Sequence, residues 1–253
     1  MSRQAQAVVL LLLGGSVLKA SFTDVYLRYV KEGLRPFLIV AGILLVACAA
    51  MTLWYDLRRR GPDGHGSDGQ DGPDGHGSGG QDHDGHGHHE PRVGWLLILP
   101  VLGLLLISPP ALGSYAAGQA GTALTGQETE EYPPLPEGDP VRITLLDYAG
   151  RAIFDQGVTL HDRRVQLTGF VAPGPDGEPI LARMILSCCA ADGRPIKLGM
   201  SGDVPTGVPA DTWVEVVGRY TTRLGKDPVS DVDIPYLEVE SWRRVAPPKQ
   251  PYE

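Results

Sequence analysis

Two kinds of hydrophobic patterning divide the chain. Before residue 118 the apolar residues come in long unbroken runs, and after about residue 138 they fall into short segments interrupted by polar ones. Residues 36–55 (PFLIVAGILLVACAAMTLWY) hold no charge. A helix of that length covers roughly 30 Å, the hydrocarbon thickness of a bilayer. Trp54 and Tyr55 suit the interface, and Arg58, Arg59 and Arg60 follow directly. A further span is expected over residues 93–117 (VGWLLILPVLGLLLISPPALGSYAA), kinked at Pro100 and ended near Pro109 and Pro110. The first apolar run, residues 5–22, contains Lys19, which would have to snorkel to the interface. With Arg3 ahead of the apolar residues 7–13 it also resembles a signal peptide. A retained first span is favoured over the signal-peptide reading.

The alternating part reads as strands. Residues 163–171 (RRVQLTGFV) place Val165, Leu167 and Gly169 on one side, and Pro173, Gly174, Pro175, Asp176 and Gly177 form a turn. Residues 180–187 make the returning strand, residues 194–200 a third, 212–220 a fourth and 236–245 a fifth. Residues 143–154 fit either helix or strand, with a short helix preferred. Five short strands joined by Gly/Pro turns fit a small barrel of OB type, although an SH3-like barrel or a small sandwich gives nearly the same pattern. The expected fold is therefore an α+β membrane protein, with two to three transmembrane helices followed by a small, mostly β, OB-like domain. Residues 1–60 form the N-terminal membrane helices, 61–92 a disordered loop, 93–117 a transmembrane helix, 118–138 a linker and 139–253 the β domain.

Charge adds an orientation and removes one class of partner. The net charge of −8 argues against nucleic acid, which needs a basic surface. Arg58, Arg59, Arg60 and Arg92 flank the second loop, while residues 93–141 contain neither Lys nor Arg. The positive-inside rule then predicts a multi-pass protein of the cell membrane, with the second loop cytoplasmic and the β domain extracytoplasmic. Lys19, Arg28, Lys31 and Arg35 around the first loop run against that assignment.

Six of the 7 histidines lie in the second loop: His65, His76, His83, His86, His88 and His89. Residues 61–71 (GPDGHGSDGQD) recur as residues 72–82 with Gly79 in place of Asp68, so drift of a tandem repeat also explains the composition. Gly, Pro, Asp and Ser at this density cannot bury a core. Imidazoles so close together suit zinc or another divalent transition metal, held weakly because no helix fixes the ligands.

Cys188 and Cys189 are followed at a short distance by Asp192. Neighbours on a strand point to opposite faces, but at a strand end the chain can turn and bring both thiols to one site beside Asp192. Three readings stay open: a soft-metal site, a reducible vicinal disulfide, or an ordinary packing cysteine. Only His161 lies in the same domain to complete a zinc site. No nucleophile elbow, H-E-x-x-H or phosphate-binding Gly loop is present, so an enzyme is not expected.

Residues 95–100 (WLLILP), 109–112 (PPAL), 165–171 (V-x-L-T-G-F-V) and 181–192 (L-x-R-x-x-x-x-C-C-x-A-D) together resemble the YcgQ-like bacterial family of permease subunits. The first loop lacks the Asn-Pro of that family, and Gly193 stands where Ala is usual. The resemblance implies an accessory subunit paired with a separate polytopic permease, and it implies that Cys188, Cys189 and Asp192 act together. A metal ion or metal complex is the transported class that the His-rich loop suggests. The alternative is a membrane-anchored extracytoplasmic binding or sensing module with no transport role.

Overall fold

A computed structural model describes residues 3–59, 103, 110–124 and 132–253. The chain divides into two compact units, one of residues 1–22 and 37–108, the other of residues 23–36 and 109–253.

In the first unit, α1 (Arg3–Phe22) packs against α2 (Arg35–Arg59) from Phe37 onward. Gly14 meets Leu45 and Val46 while Gly42 meets Leu18, so the helices run antiparallel. A Cβ at Gly14 would lie 2.9 Å from Val46 Cγ2, and one at Gly42 would lie 2.8 Å from Leu18 Cγ. Both positions need glycine for this close approach. The buried residues Ala7, Gly14 and Ser21 on α1, and Gly42 and Ala49 on α2, are all small and recur at a heptad interval. Leu11, Leu13, Val40, Ile43, Leu44 and Met51 are exposed. The fully buried positions are therefore small, with Leu18, Leu45 and Val46 packed over the glycines, and the outer surface is bulky. Residues 32–58 make one helical stretch long and apolar enough to cross a membrane, whereas the apolar part of α1, Gln6–Phe22, is shorter. Against the expectation of two to three spans, one helix among the described residues meets that measure. Arg3, Gln4, Ser16 and Lys19 dilute α1, and most of the expected span over residues 93–117 lies outside the described residues.

The second unit is built on a five-stranded barrel. Strands β2 (Val165–Pro173), β3 (Pro179–Ile185), β4 (Arg194–Gly202), β6 (Asp233–Arg244) and β5 (Trp213–Lys226) lie in that order. Pairing of β5 with β2, from Val165 opposite Gly218 to Phe170 opposite Trp213, closes the ring. All of these neighbours are antiparallel except β4 and β6, which run parallel. This Greek-key order is that of an OB-like barrel, and it sets aside the SH3-like and sandwich alternatives. A two-residue strand, β1 (Val141–Arg142), adds in parallel to β2.

Alternation fills the barrel with Val165, Leu167, Leu181, Ile196, Leu198, Val214, Val216 and Leu237. A short helix is added to this core. The α3 segment (Ser114–Gln119) belongs to the outer layer, and α4 (Leu145–Phe154) supplies Leu145, Tyr148, Ala149 and Ala152 from one face. Thr144 starts α4 by accepting the amide of Asp147, which resolves the helix-or-strand ambiguity of residues 143–154 in favour of helix. The Tyr148 hydroxyl donates to the carbonyl of Tyr236 at 2.7 Å, so its polar end is satisfied inside the core.

Polar anchors tie the flanking segments to the barrel. Lys197 Nζ donates to Asp227 Oδ1 at 2.8 Å, with side-chain exposures of 3% and 0%. Asp227 also accepts the amide of Thr122 at 2.5 Å, and Leu124 enters the core beside it. Residues expected as a free linker are thus held at 122–124. Asp211 accepts both the amide and the hydroxyl of Ser114. The Tyr252 hydroxyl accepts the amide of Leu112 at 2.9 Å and donates to the carbonyl of Arg28 at 2.7 Å, so one side chain pins two segments.

Burial alone would raise the Asp227 carboxyl, but Lys197 and the Thr122, Val229 and Ser230 donors outweigh it and hold it below the ordinary range. A depressed folded-state value stabilises above the unfolded value near 4, and that contribution is lost as the pH falls through the folded one. Lys197→Met leaves the carboxylate buried without its cation, and we expect a loss of about 3–5 kcal/mol at neutral pH. The deficit should narrow below pH ~4 as Asp227 takes up a proton. Thermal unfolding of the purified chain at both pH values checks this, and an unchanged midpoint at neutral pH contradicts it.

Candidate functional site

β3 ends at Ile185, and the chain must reverse to enter β4 at Arg194. The reversal holds a single 3-10 turn, Ala190–Asp192, preceded by the extended Cys189. Asp192 organises it. Its Oδ1 accepts the amide of Ser187 at 2.9 Å, and its Oδ2 accepts those of Cys188 at 2.8 Å and Cys189 at 3.2 Å. A short acidic side chain reaching back to nearby amides replaces the pairing that the strand has just lost. Three successive amides converging on one carboxylate bend the chain out of its extended course. The two adjacent side chains therefore no longer diverge.

The thiol of Cys188 donates to Asp192 Oδ2 at 2.8 Å. The two sulfurs and a carboxylate oxygen all lie within 4.8 Å of one another. Cys188 is exposed, while Cys189 and Asp192 are half-buried, and both cysteines are free thiols. His161 is not part of this cluster, whose members are Cys188, Cys189 and Asp192. Of the sequence candidates, these three are brought together. His65, His76, His83, His86, His88 and His89 lie outside the described residues.

The electrostatics follow from the shared hydrogen bond. The Cys188 thiol and then its amide draw the Asp192 carboxyl down to about 2. The same bond, with Cys189 beside it, pushes the Cys188 thiol up to about 11. Such a thiol is protonated at neutral pH, which is the reverse of what a nucleophilic cysteine needs.

Sequence reasoning did not find what holds the turn from behind. Val30 forms an antiparallel bridge with Cys189. The amide of Lys31 donates to the carbonyl of Cys188 at 3.1 Å, and the amide of Ala190 donates to the carbonyl of Tyr29 at 2.7 Å. Tyr26 and Leu27 are buried in the same segment. On another side Leu112 lies against Gly193, where a Cβ would sit 2.4 Å from Leu112 Cδ1. Glycine at 193 thus makes room for Leu112. A cleft of about 800 Å³ elsewhere in this unit is lined by Phe170, Trp213, Tyr115, Arg28 and Asp211. None of the sequence-predicted site residues lines it.

Residues 150–253 match the family model described as the DUF1980 C-terminal domain. The match takes in β2 to β6 and the Cys188–Asp192 turn, and it supports the resemblance to the YcgQ-like family at the level of this domain. No curated protein and no solved structure matches the chain.

Replacing Asp192 by Asn removes the charge that keeps the Cys188 proton in place. Alkylation of Cys188 by iodoacetamide at pH 8 should then accelerate by at least about tenfold as its thiolate fraction rises. Peptide mass spectrometry over a time course measures this, and an equal or slower rate in Asp192→Asn contradicts it.

Proposed function

We propose that the chain is a membrane-anchored accessory subunit that works beside a separate polytopic membrane protein and transports nothing alone. The carrying observation is the helix pair whose fully buried positions are small and whose outer surface is bulky and apolar. In water the exposed large apolar side chains would turn inward, whereas in lipid an apolar outer surface is favoured and glycines in the seam permit close packing. On this reading α1 and α2 both cross the bilayer, and a third span over residues 93–117 returns the chain to the barrel.

The orientation that fits has the His-rich loop cytoplasmic and the barrel extracytoplasmic. Residues 23–36 pack within the barrel unit, so they share its side. Three of the four basic residues that run against the positive-inside rule, Arg28, Lys31 and Arg35, belong to this segment. Arg35 lies 5.7 Å from the ring centroid of Tyr26, and the carbonyl of Arg28 is bonded by Tyr252. The Arg35 cation thus rests against protein, and the backbone at Arg28 is fixed to the barrel unit.

Residues 36–55 contain no Asp, Glu, His, Lys or Arg, and Lys19 is the one basic residue inside the apolar part of α1. A path for an ion or hydrophilic solute is usually marked by such groups. Carriers of the alternating-access kind use repeated bundles with broken helices at the midplane, and two or three spans do not make such a repeat. A polytopic partner supplies what is missing. A second reading, an anchored sensing module, is favoured by one observation: the Cys188–Asp192 turn is bonded to Tyr29 and Lys31, just ahead of α2.

Crosslinking in native membranes followed by mass spectrometry should recover a larger, more hydrophobic protein together with this one. Recovery of self-copies alone, or substrate flux through liposomes containing only the purified chain, would overturn the proposal.

A further inference from the structure

We infer that Cys188, Cys189 and Asp192 form an exchangeable site for a thiophilic metal ion of low coordination number, with cuprous copper as the best match. The inference stands apart from the accessory role, since it concerns what the isolated chain binds.

Spacing comes first. Two thiolates bound to one ion at about 2.3 Å each stand no more than about 4.6 Å apart. The donors lie within 4.8 Å of one another, a separation that a single ion can bridge. Donor type comes second. Two sulfurs and one oxygen, with no imidazole beside them among the described residues, suit a soft ion better than a hard one. A structural zinc site would be closed by four protein ligands, and here one side is open because Cys188 is exposed. An ion held by two thiolates with a carboxylate alongside can therefore enter and leave.

A capping role for Asp192 accounts for its three amide bonds and nothing more. It does not explain why two neighbouring thiols converge on the capped face, or why Cys188 is exposed when free cysteine is usually packed away. The shared hydrogen bond between Cys188 and Asp192 occupies the place the ion would take. Binding releases the two thiol protons to solvent and leaves two thiolates and a carboxylate around the ion. Asp192 keeps its amide bonds meanwhile and acts mainly as a positioning residue, holding both sulfurs on one face.

The test uses the full chain, purified in detergent under reducing, anaerobic conditions, with cuprous ion or zinc as the probe. Protection from alkylation is read separately at each cysteine by mass spectrometry. One equivalent of cuprous ion should slow alkylation of Cys188 and Cys189 together by tenfold or more, leave Cys48 unchanged, and outperform zinc. Cys188→Ser should abolish protection of Cys189, and Cys189→Ser that of Cys188, with the thermal midpoint preserved. A chain with all six loop histidines replaced by Ala should behave as the native one does. Absence of protection at one equivalent, persistence of protection in either single variant, equal protection by zinc, or its loss in the histidine-free chain would each overturn the assignment.

Discussion

The carboxylate of Asp192 is the constraint on which the site end of the barrel depends. Three amides and one thiol converge on it, at a point where the sheet has stopped supplying partners. Without a compact acceptor the amides of Ser187, Cys188 and Cys189 would turn to water, and the chain would leave β3 in an extended course. Extended backbone would send the two thiols to opposite sides. The carboxylate thus fixes both the path of the backbone and the convergence of the side chains. The same turn offers its outer backbone groups to Tyr29 and Lys31, so one short segment links the barrel to the residues that enter α2.

Elsewhere the second unit relies on the same device, a side chain in place of a missing backbone partner. Asp211 receives the start of α3, Asp227 receives Thr122, and Tyr252 serves Leu112 and Arg28. Glu253 accepts the amides of Leu145 and Leu146 at 3.0 Å each, at the start of α4. Burial raises its carboxyl although these amides and Arg183 oppose that. Irregular segments can be held close to a barrel only when their polar backbone is satisfied in this way. The helix pair of the first unit solves a different problem, with small residues in the seam and apolar bulk outside.

The barrel was legible because its strands obey period two. The expected strand over residues 163–171 overlaps most of β2, and residues 180–187 overlap nearly all of β3. The fourth and fifth strands extend further than expected, β5 to Lys226 and β6 from Asp233. Their added lengths pair with a register shift between Thr221 and Leu224, and Thr222, Arg223 and Leu224 are exposed while Ile234 and Pro235 opposite are buried, so no simple alternation marks the extension of β5. The convergence of Cys188, Cys189 and Asp192 was also within reach, since a turn after a strand was the one way to align adjacent thiols. The partnership of Cys189 with Val30 was not, because a bridge across so many residues leaves no local periodicity. Lys197 reads as an outward strand residue, and only Asp227 makes its burial tolerable. The heptad interval of Ala7, Gly14 and Ser21 was present in the sequence, but an unbroken apolar run conceals which of its faces is the narrow one.

Amide hydrogen exchange at the turn tests most directly the claim that one carboxylate organises the site. In the native chain the amides of Ser187, Cys188 and Cys189 should exchange slowly for so exposed a segment. In Asp192→Ala they should accelerate together with those of Ala190 and Lys31, while the barrel strands keep their protection. Native amides exchanging at the rate of unstructured chain, or an Asp192→Ala profile indistinguishable from the native one, would contradict the account.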